Sequence, residues 1–158
     1  MTDENHTTHL ATLADLAGHV GQPLGTSAWL RIEQDRINTF ADATDDHQWI
    51  HVDVERANAE SPFGGPVAHG YLALSLIIPL WTQVLRVDSV TTAVNYGLNK
   101  VRFTSPVPAG GRVRLAAALK EYRELPKGDV QIAVEGIIEL KGSERPAVVA
   151  EAIYRMLE

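Results

Sequence analysis

A long apolar stretch from Val67 to Leu85 constrains the fold of this chain more than any other feature. Its large apolar side chains fall on every side of a predicted helix: Tyr71, Leu72, Leu74, Leu76, Ile77, Ile78, Leu80 and Trp81. A helix that is hydrophobic all round has to be buried all round. The alternative is a membrane span, but the unbroken apolar part is shorter than the roughly 18 residues that a bilayer requires, and Pro79 interrupts it. We therefore expect a helix at the centre of a protein core and no membrane partner.

Four long strands are predicted after this helix, at Ala93–Thr104, Val113–Leu125, Val130–Lys141 and Ala147–Leu157. Short turn sequences separate them, which favours antiparallel neighbours. Apolar residues alternate along the second and third of these strands and give the sheet one apolar face: Val113, Leu115, Ala117, Leu119, Val130, Ile132, Val134, Ile138 and Leu140. If the sheet curls around the helix, the apolar face of the sheet and the apolar sides of the helix are buried against each other. The predicted class is α+β, with a curved antiparallel sheet wrapped around a long central helix.

Shorter elements are predicted in the first half of the chain. Apolar spacing indicates a short helix within Leu10–Val20, alternation indicates a strand at Thr26–Ile32, and helical spacing returns at Gln34–Thr44. Residues Asp45–Gly65 lack sustained periodicity, apart from a turn of helix at Val54–Glu60. Their His, Asp, Gly and Pro content is typical of a functional loop that a rigid scaffold supports.

Length and charge exclude several classes of protein. With 158 residues, one domain over 1–158 is expected, with 1–20 as an N-terminal extension that carries the short helix. A formal charge of -6 repels phosphate backbones, so no nucleic acid partner is expected. The absence of cysteine removes disulfides and thiolate nucleophiles. Residues Met1–His9 lack the basic and apolar regions of a secretory signal, so a cytoplasmic location is expected.

A short segment, Asp45-Asp46-His47-Gln48-Trp49-Ile50-His51, combines the residue types of acid and base catalysis. Hydration of a double bond removes a proton from water and delivers one to the neighbouring carbon, so a carboxylate and an imidazole on either side of one water suit it. We select Asp46 and His51 as this pair, with Gln48 holding the water or the Asp. Each has a simpler interpretation, as a turn cap, a core histidine and a loop-tethering amide respectively. No HExxH motif accompanies the two histidines, so no metal is predicted.

A second segment, Phe63-Gly64-Gly65-Pro66-Val67-Ala68-His69-Gly70, is rich in glycine and opens directly into the apolar helix. Free backbone N–H groups converge at the start of a helix, and they stabilise a carbonyl oxygen that gains negative charge. The N–H of Gly70 is our candidate donor. The alternative is that the glycines permit close packing of the helix.

The residues Phe40–His51, together with Ala68–Gly70 and Tyr96–Phe103, resemble the MaoC-like dehydratases, a family that contains the (R)-specific enoyl-CoA hydratases and the nodulation N-type proteins. The resemblance extends from about Gly21 to the C-terminus, and three motifs in order are more specific than one. It implies a hot-dog fold and a homodimer with two helices back to back. It also implies an acyl-CoA or acyl carrier protein thioester as substrate, with no cofactor.

The resemblance also implies roles for single residues. The family motif has an Asp, an amide two positions later and a His five positions after the Asp, and Asp46, Gln48 and His51 match it. They are expected to add water to a trans-2-enoyl-CoA and, in reverse, to dehydrate the 3-hydroxyacyl-CoA. Gly70 falls on the family position of the backbone donor to the thioester carbonyl. Substrate contacts are expected from Ala68, His69, Tyr96, Asn99 and Arg102, while Val101 and Phe103 are expected in the core.

The match has two departures: Asp45 stands where the family commonly has Gly, and Gln48-Trp49 replaces a common Asn-Pro. Asp45 places a second carboxylate beside Asp46. The Asp45 side chain either affects the acidity of Asp46 or simply faces solvent. Two further hypotheses therefore stand beside the hydratase. One is a thioesterase, in which water attacks the carbonyl and free CoA thiol is released. The other is a catalytically silent protein that binds acyl thioesters. One fold hosts many functions, so fold alone does not choose among them.

Overall fold

The computed structural model describes Asn5 and residues 7–158 of the chain. Residues 1–4 and 6, which belong to the predicted N-terminal extension, lie outside the described residues. The first half contains short strands, a 3₁₀ helix and three α-helices: β1 (Thr8–Leu10), the 3₁₀ helix (Leu13–His19), β2 (Pro23–Thr26), β3 (Leu30–Arg31), α1 (Gln34–Thr44), α2 (Trp49–Val52) and α3 (Val54–Glu60).

The second half contains two helices in succession and then the long strands: α4 (Gly70–Ser75), α5 (Ile77–Trp81), β4 (Leu85–Val87), β5 (Thr92–Phe103), β6 (Arg112–Glu124), β7 (Val130–Leu140) and β8 (Val148–Leu157), with a short 3₁₀ turn at Pro126–Gly128. The bounds of β5 to β8 lie within one residue of the predicted strands. The helices at Gln34–Thr44 and Val54–Glu60 match their predictions at both ends.

Among the described residues, the main sheet has the strand order β2-β6-β7-β8-β5, with β3 also paired to β6. All its pairings are antiparallel. The predicted alternation is correct: Leu115, Leu119 and Ile132 are fully buried on the face that packs against α4 and α5. Gly136 lies on the same face, where an added Cβ would be in ordinary van der Waals contact with Leu115 and Ile77 at 3.4 to 3.6 Å. This is the α+β hot-dog architecture that the resemblance implies.

The prediction of one long helix over Val67–Leu85 is wrong in length. The helical part runs from Gly70 to Trp81 and breaks between Ser75 and Ile77. Pro79 explains the break, because it has no N–H to donate to the carbonyl of Ser75 and its ring crowds that turn. Within the described chain, no helix is long and apolar enough to cross a membrane.

The helix is also not buried all round, because the sheet of a single chain covers one side of it. Tyr71 is 71% exposed and Ile78 is 38% exposed. The same outer surface continues along β5, whose residues are exposed apart from half-buried Val101. The expectation that Phe103 lies in the core is therefore wrong, since it is 48% exposed.

Three further predictions need correction. The strand predicted at Thr26–Ile32 is interrupted between β2 and β3, where the buried side chain of Ser27 accepts a hydrogen bond from the backbone of Leu115 in place of a regular ladder contact. In the N-terminal extension, Leu10 ends β1 and the helix begins only at Leu13. The short turn before β6 also does not pair β5 with β6, because β5 pairs with β8 instead.

Candidate active site

The chain reverses direction between α1 and α2 at Asp45, which has φ 57° and ψ 23°. This left-handed conformation at a helix C-terminus suits glycine, and Asp and Asn tolerate it better than other residues do. Asp45 therefore has a conformational role at the end of α1. The turn exposes the side chain of Asp46, and the backbone N–H of Gln48 faces Asp46 Oδ1 at 3.4 Å.

His51 lies in α2 and is buried, with 7% of its surface exposed. Its Nδ1 is 2.6 Å from the carbonyl oxygen of Val67, so Nδ1 donates and the lone pair of Nε2 stays available as a proton acceptor. Burial lowers the pKa of His51 below its usual 6.5, and the Val67 carbonyl opposes this effect without reversing it. His51 is therefore neutral at pH 7, the state that a general base requires.

Asp46 and His51 lie close enough together for one water molecule to contact both. A carboxylate oxygen of Asp46 and a ring nitrogen of His51 lie within 4.8 Å of each other. Among the described residues no direct hydrogen bond joins the two side chains, and polar groups at such a range are commonly bridged by water. The structure thus brings together the carboxylate and the imidazole that the sequence selected.

A second segment, residues 67–70, holds the first one in place. The N–H of Val67 donates to the carbonyl of Ile50 at 3.0 Å, and His69 Nε2 lies 2.9 Å from the carbonyl oxygen of Asp46. The rings of His51 and His69 are stacked, with their centroids 3.9 Å apart and 25° between their planes. Residues 46–51 and 67–69 therefore form one unit, although about 20 residues separate them in the chain.

A cavity of about 300 Å³ opens beside this unit, and its lining includes His51, Ala68, His69, Gly70 and Phe103. Gly70 is the first residue of α4. A Cβ at this position would lie 3.1 to 3.3 Å from the ring of Phe103, so glycine permits the close approach of helix and strand. Both interpretations of Gly70 fit this geometry, because the close packing is present and the N–H of Gly70 has no hydrogen-bond partner in the part of the chain that the structure describes.

The remaining predicted residues are distributed over different surfaces. Ala68 lines the cavity, but its N–H is engaged with the carbonyl of Val107 at 2.8 Å. Tyr96 lines a second apolar cavity of about 300 Å³ farther along the helix. Asn99 donates to Glu151 at 2.6 Å, and Arg102 donates to the neighbouring carbonyl of Val101 at 2.7 Å. Neither Asn99 nor Arg102 is among the described residues that line these two cavities.

Three contributors to the site escaped the sequence analysis. Gln34 donates to the carbonyl of His51 at 2.7 Å, the Val67 carbonyl orients the His51 ring, and Phe40 packs against His69 at 4.9 Å. Gln34 and Phe40 lie on α1 and are not part of the acid/base segment Asp45–His51. Their helical spacing with Ile37, which is buried, was the available signal that this face of α1 points inward.

Asp46, His51 and His69 have the residue types of a metal site, and their ligand atoms lie within 4.8 Å of one another. A metal bound by two imidazoles lies close to both ring planes, because the nitrogen lone pairs are in those planes. The planes of His51 and His69 are nearly parallel and do not meet near the rings. The arrangement therefore suits proton transfer better than metal coordination.

Comparison with known proteins gives a consistent result. The family model described as MaoC like domain matches residues 15–139. The chain is 51% identical over 144 residues to 3-hydroxyacyl-thioester dehydratase Z of Mycobacterium tuberculosis. The aligned residues cover 91% of this chain and 95% of that protein. It is 43% identical over 146 residues to nodulation protein N of Rhizobium leguminosarum bv. viciae, covering 92% and 91% of the two chains. The unliganded R-hydratase PhaJ1 of Pseudomonas aeruginosa superposes with a TM-score of 0.73 and 26% identity, over 94% and 87% of the chains.

Proposed function

Because the chain belongs to the family of MaoC-like domains, we propose that it catalyses the (R)-specific hydration of trans-2-enoyl thioesters to 3-hydroxyacyl thioesters, and the reverse dehydration. The chain is a hydro-lyase, the class to which the dehydratase and hydratase among its relatives belong. The proposal adds the direction, the stereochemistry, the substrate carrier and the residues.

The approach of Asp46 and His51 within 4.8 Å of each other carries this proposal. In the hydration direction the pair holds one water between them. The available His51 Nε2 and the Asp46 carboxylate together remove one proton as the water oxygen bonds to C3. The pair then delivers one proton to C2, so water is consumed and the two side chains return to their starting protonation states.

The thioester carbonyl needs a hydrogen-bond donor, because its oxygen gains negative charge as C3 is attacked. The N–H of Gly70 opens α4 in the cavity that His51 also lines. Loss of one such donor in other enzymes costs about 3 kcal/mol of transition-state stabilisation. We assign Gly70 this role.

The acyl tail has an apolar place to lie beyond the catalytic residues. The catalytic cavity ends at Ala73, and the second cavity begins at Leu74 on the same helix, with Tyr96 and Tyr154 in its wall. We assign the tail to this second cavity, which gives Tyr96 its predicted contact with the substrate. Arg102 is exposed on the same strand as Tyr96 and remains our candidate for the phosphates of CoA.

Two copies of the chain are proposed to pair through β5. In the described sheet this strand lies at the edge, and its exposed residues include Val94, Tyr96 and Leu98. Large exposed apolar side chains on a sheet edge favour association with another strand. Light scattering on the purified protein tests the homodimer, and a monomer at micromolar concentration contradicts it.

The test of the proposed activity uses crotonyl-CoA and longer trans-2-enoyl-CoA homologues. Hydration removes the conjugated double bond, so the enoyl-thioester absorbance falls, and chiral analysis should identify the (R)-3-hydroxyacyl product. Asp46→Asn and His51→Ala should each lower kcat by roughly 10²- to 10⁴-fold, as expected for an acid/base group. The same series with acyl carrier protein thioesters identifies the preferred carrier.

The chain offers a matched control for both substitutions. Asp42, in the last turn of α1, and His47, on the loop that follows, form a second and exposed carboxylate–imidazole pair at 2.9 Å. Asp42→Asn and His47→Ala should therefore leave kcat within about twofold of the original value. Release of free CoA thiol in place of hydration supports the thioesterase. Binding without turnover at any chain length supports the catalytically silent protein, and either result rejects the proposal.

A further inference from the structure

His69 is more deeply buried than expected for a residue that contacts the substrate. The side chain is 2% exposed and lies between the ring of Phe40 at 4.9 Å and the stacked ring of His51 at 3.9 Å. Protein rings thus lie against His69 on two sides. His69 is among the residues that line the catalytic cavity, but a group so enclosed has little surface left for a ligand, and its contacts point to an action through its neighbours.

The hydrogen bond of His69 fixes its tautomer. Nε2 lies 2.9 Å from the backbone carbonyl of Asp46, and a carbonyl accepts but does not donate, so Nε2 carries the hydrogen. In the neutral ring Nδ1 is then a bare acceptor, and among the described residues it has no hydrogen-bond partner. The donor side of the ring is used to hold the peptide of Asp46.

From these contacts we propose that His69 is a positioning residue for the reaction above, an inference that rests on the proposed function. The ring of His69 thus influences the positions of three groups that take part in the proposed reaction. Its N–H holds the backbone of Asp46, its face supports the ring of His51, and the next residue in the chain is Gly70. Movement of His69 therefore changes the placement of the carboxylate, the base and the carbonyl donor together.

Two substitutions separate this role from simple packing. His69→Phe keeps an aromatic ring against Phe40 and His51 but removes the N–H. His69→Gln keeps an N–H within reach of the Asp46 carbonyl but removes the ring. If His69 acts only by packing, His69→Phe should keep the higher kcat. If it acts by positioning Asp46, His69→Gln should keep the higher kcat.

We expect His69→Phe to be the more stable variant in thermal unfolding and the slower one in hydration. Its kcat should fall roughly 10- to 100-fold, the effect of misplacing reacting groups by about 1 Å. KM should stay within about threefold, because the substituted side chain does not bind the substrate. His69→Gln should recover at least several-fold of the lost kcat despite its lower stability. All rates are expressed per folded molecule, measured at a temperature well below each unfolding midpoint.

If kcat follows the order of stability, or if KM rises as much as kcat falls, His69 is a packing or substrate-binding residue and the proposal is wrong. An assay independent of turnover is ¹⁵N NMR of the imidazole rings. It should find Nε2–H on His69 and Nδ1–H on His51, and an Nδ1–H on His69 overturns the proposal. If the unsubstituted protein hydrates no enoyl thioester, the proposed function fails, while the NMR result still decides whether His69 holds Asp46.

Discussion

The hydroxyl of Tyr154 provides a quantitative test of how the helix packs on the sheet. Tyr154 lies on β8, is 3% exposed, and stacks on Trp81 of α5 with centroids 5.3 Å apart. Its hydroxyl is buried and, in the part of the chain that the structure describes, has no hydrogen-bond partner. Burial raises the pKa of Tyr154 from its ordinary value of 10.0 to about 12, because the charged phenolate loses its hydration.

The sign of the effect on stability follows from linkage. The folded state holds the proton of Tyr154 more tightly than the unfolded state does. The stabilisation is therefore complete below pH 10 and is lost as the pH rises through 12. At pH 11 the unfolded tyrosine is largely ionised and the folded one is not, which corresponds to a loss of about 1.4 kcal/mol relative to neutral pH.

Urea unfolding of the original protein and of Tyr154→Phe, at pH 8 and at pH 11, measures this loss. The phenylalanine variant cannot ionise, so the difference in unfolding free energy should move in its favour by about 1.4 kcal/mol between the two pH values. Tyr71→Phe is the matched reference, because Tyr71 is an exposed tyrosine, on α4. If the two stability curves stay parallel from pH 8 to pH 11, the hydroxyl is solvated or bonded and the described packing is wrong.

Three other substitutions or conditions test the site. The plot of kcat/KM against pH should fall on the acid side with a midpoint below 6.5, because burial lowers the pKa of His51, and a midpoint above 6.5 contradicts a buried base. Gly70→Ala should destabilise the fold by about 1 kcal/mol, because the added Cβ would lie 3.1 to 3.3 Å from the ring of Phe103. It should also lower kcat, and adding Phe103→Ala should restore part of the rate. Asp45→Gly should raise the unfolding free energy by up to about 1 kcal/mol without changing kcat, and loss of activity would show that Asp45 does more than end α1.

The regular parts of the fold were predictable because their signals are local. Alternation over seven residues of β6 and eleven of β7 identified these strands, together with the side of each that is buried. The length of the central helix was not predictable from apolar content alone, since Val67 and Leu85 are buried in extended backbone. Pro79 was the clue, because its effect on the carbonyl of Ser75 is a backbone effect that hydrophobicity does not record.

Strand order was harder to predict, because it depends on contacts between distant residues. β5 and β6 are consecutive and joined by a short connection, yet β5 pairs with β8 at the other edge of the three-strand meander. The edge of β6 that a simple hairpin would need is paired with β2 and β3 instead. Val101 and Phe103 of β5 were predicted to be core residues, and a sequence does not distinguish a core residue from one that contacts a second chain.

The candidate site shows why a short motif was necessary but not sufficient. Asp46 and His51 come from one loop, and their spacing was enough to select them. Their separation, however, is set by three hydrogen bonds between this loop and residues 67–69, all of them accepted by backbone carbonyls and one of them donated by a backbone N–H. Backbone partners leave no trace in residue identity, so the two sequence segments had to be weighed as separate motifs. Since one segment holds the acid/base pair and the other leads directly into Gly70, a change in either one alters the distance between the water and the carbonyl donor. Substitutions on the two sides of this connection should therefore be non-additive in kcat, as expected for residues that act as one unit.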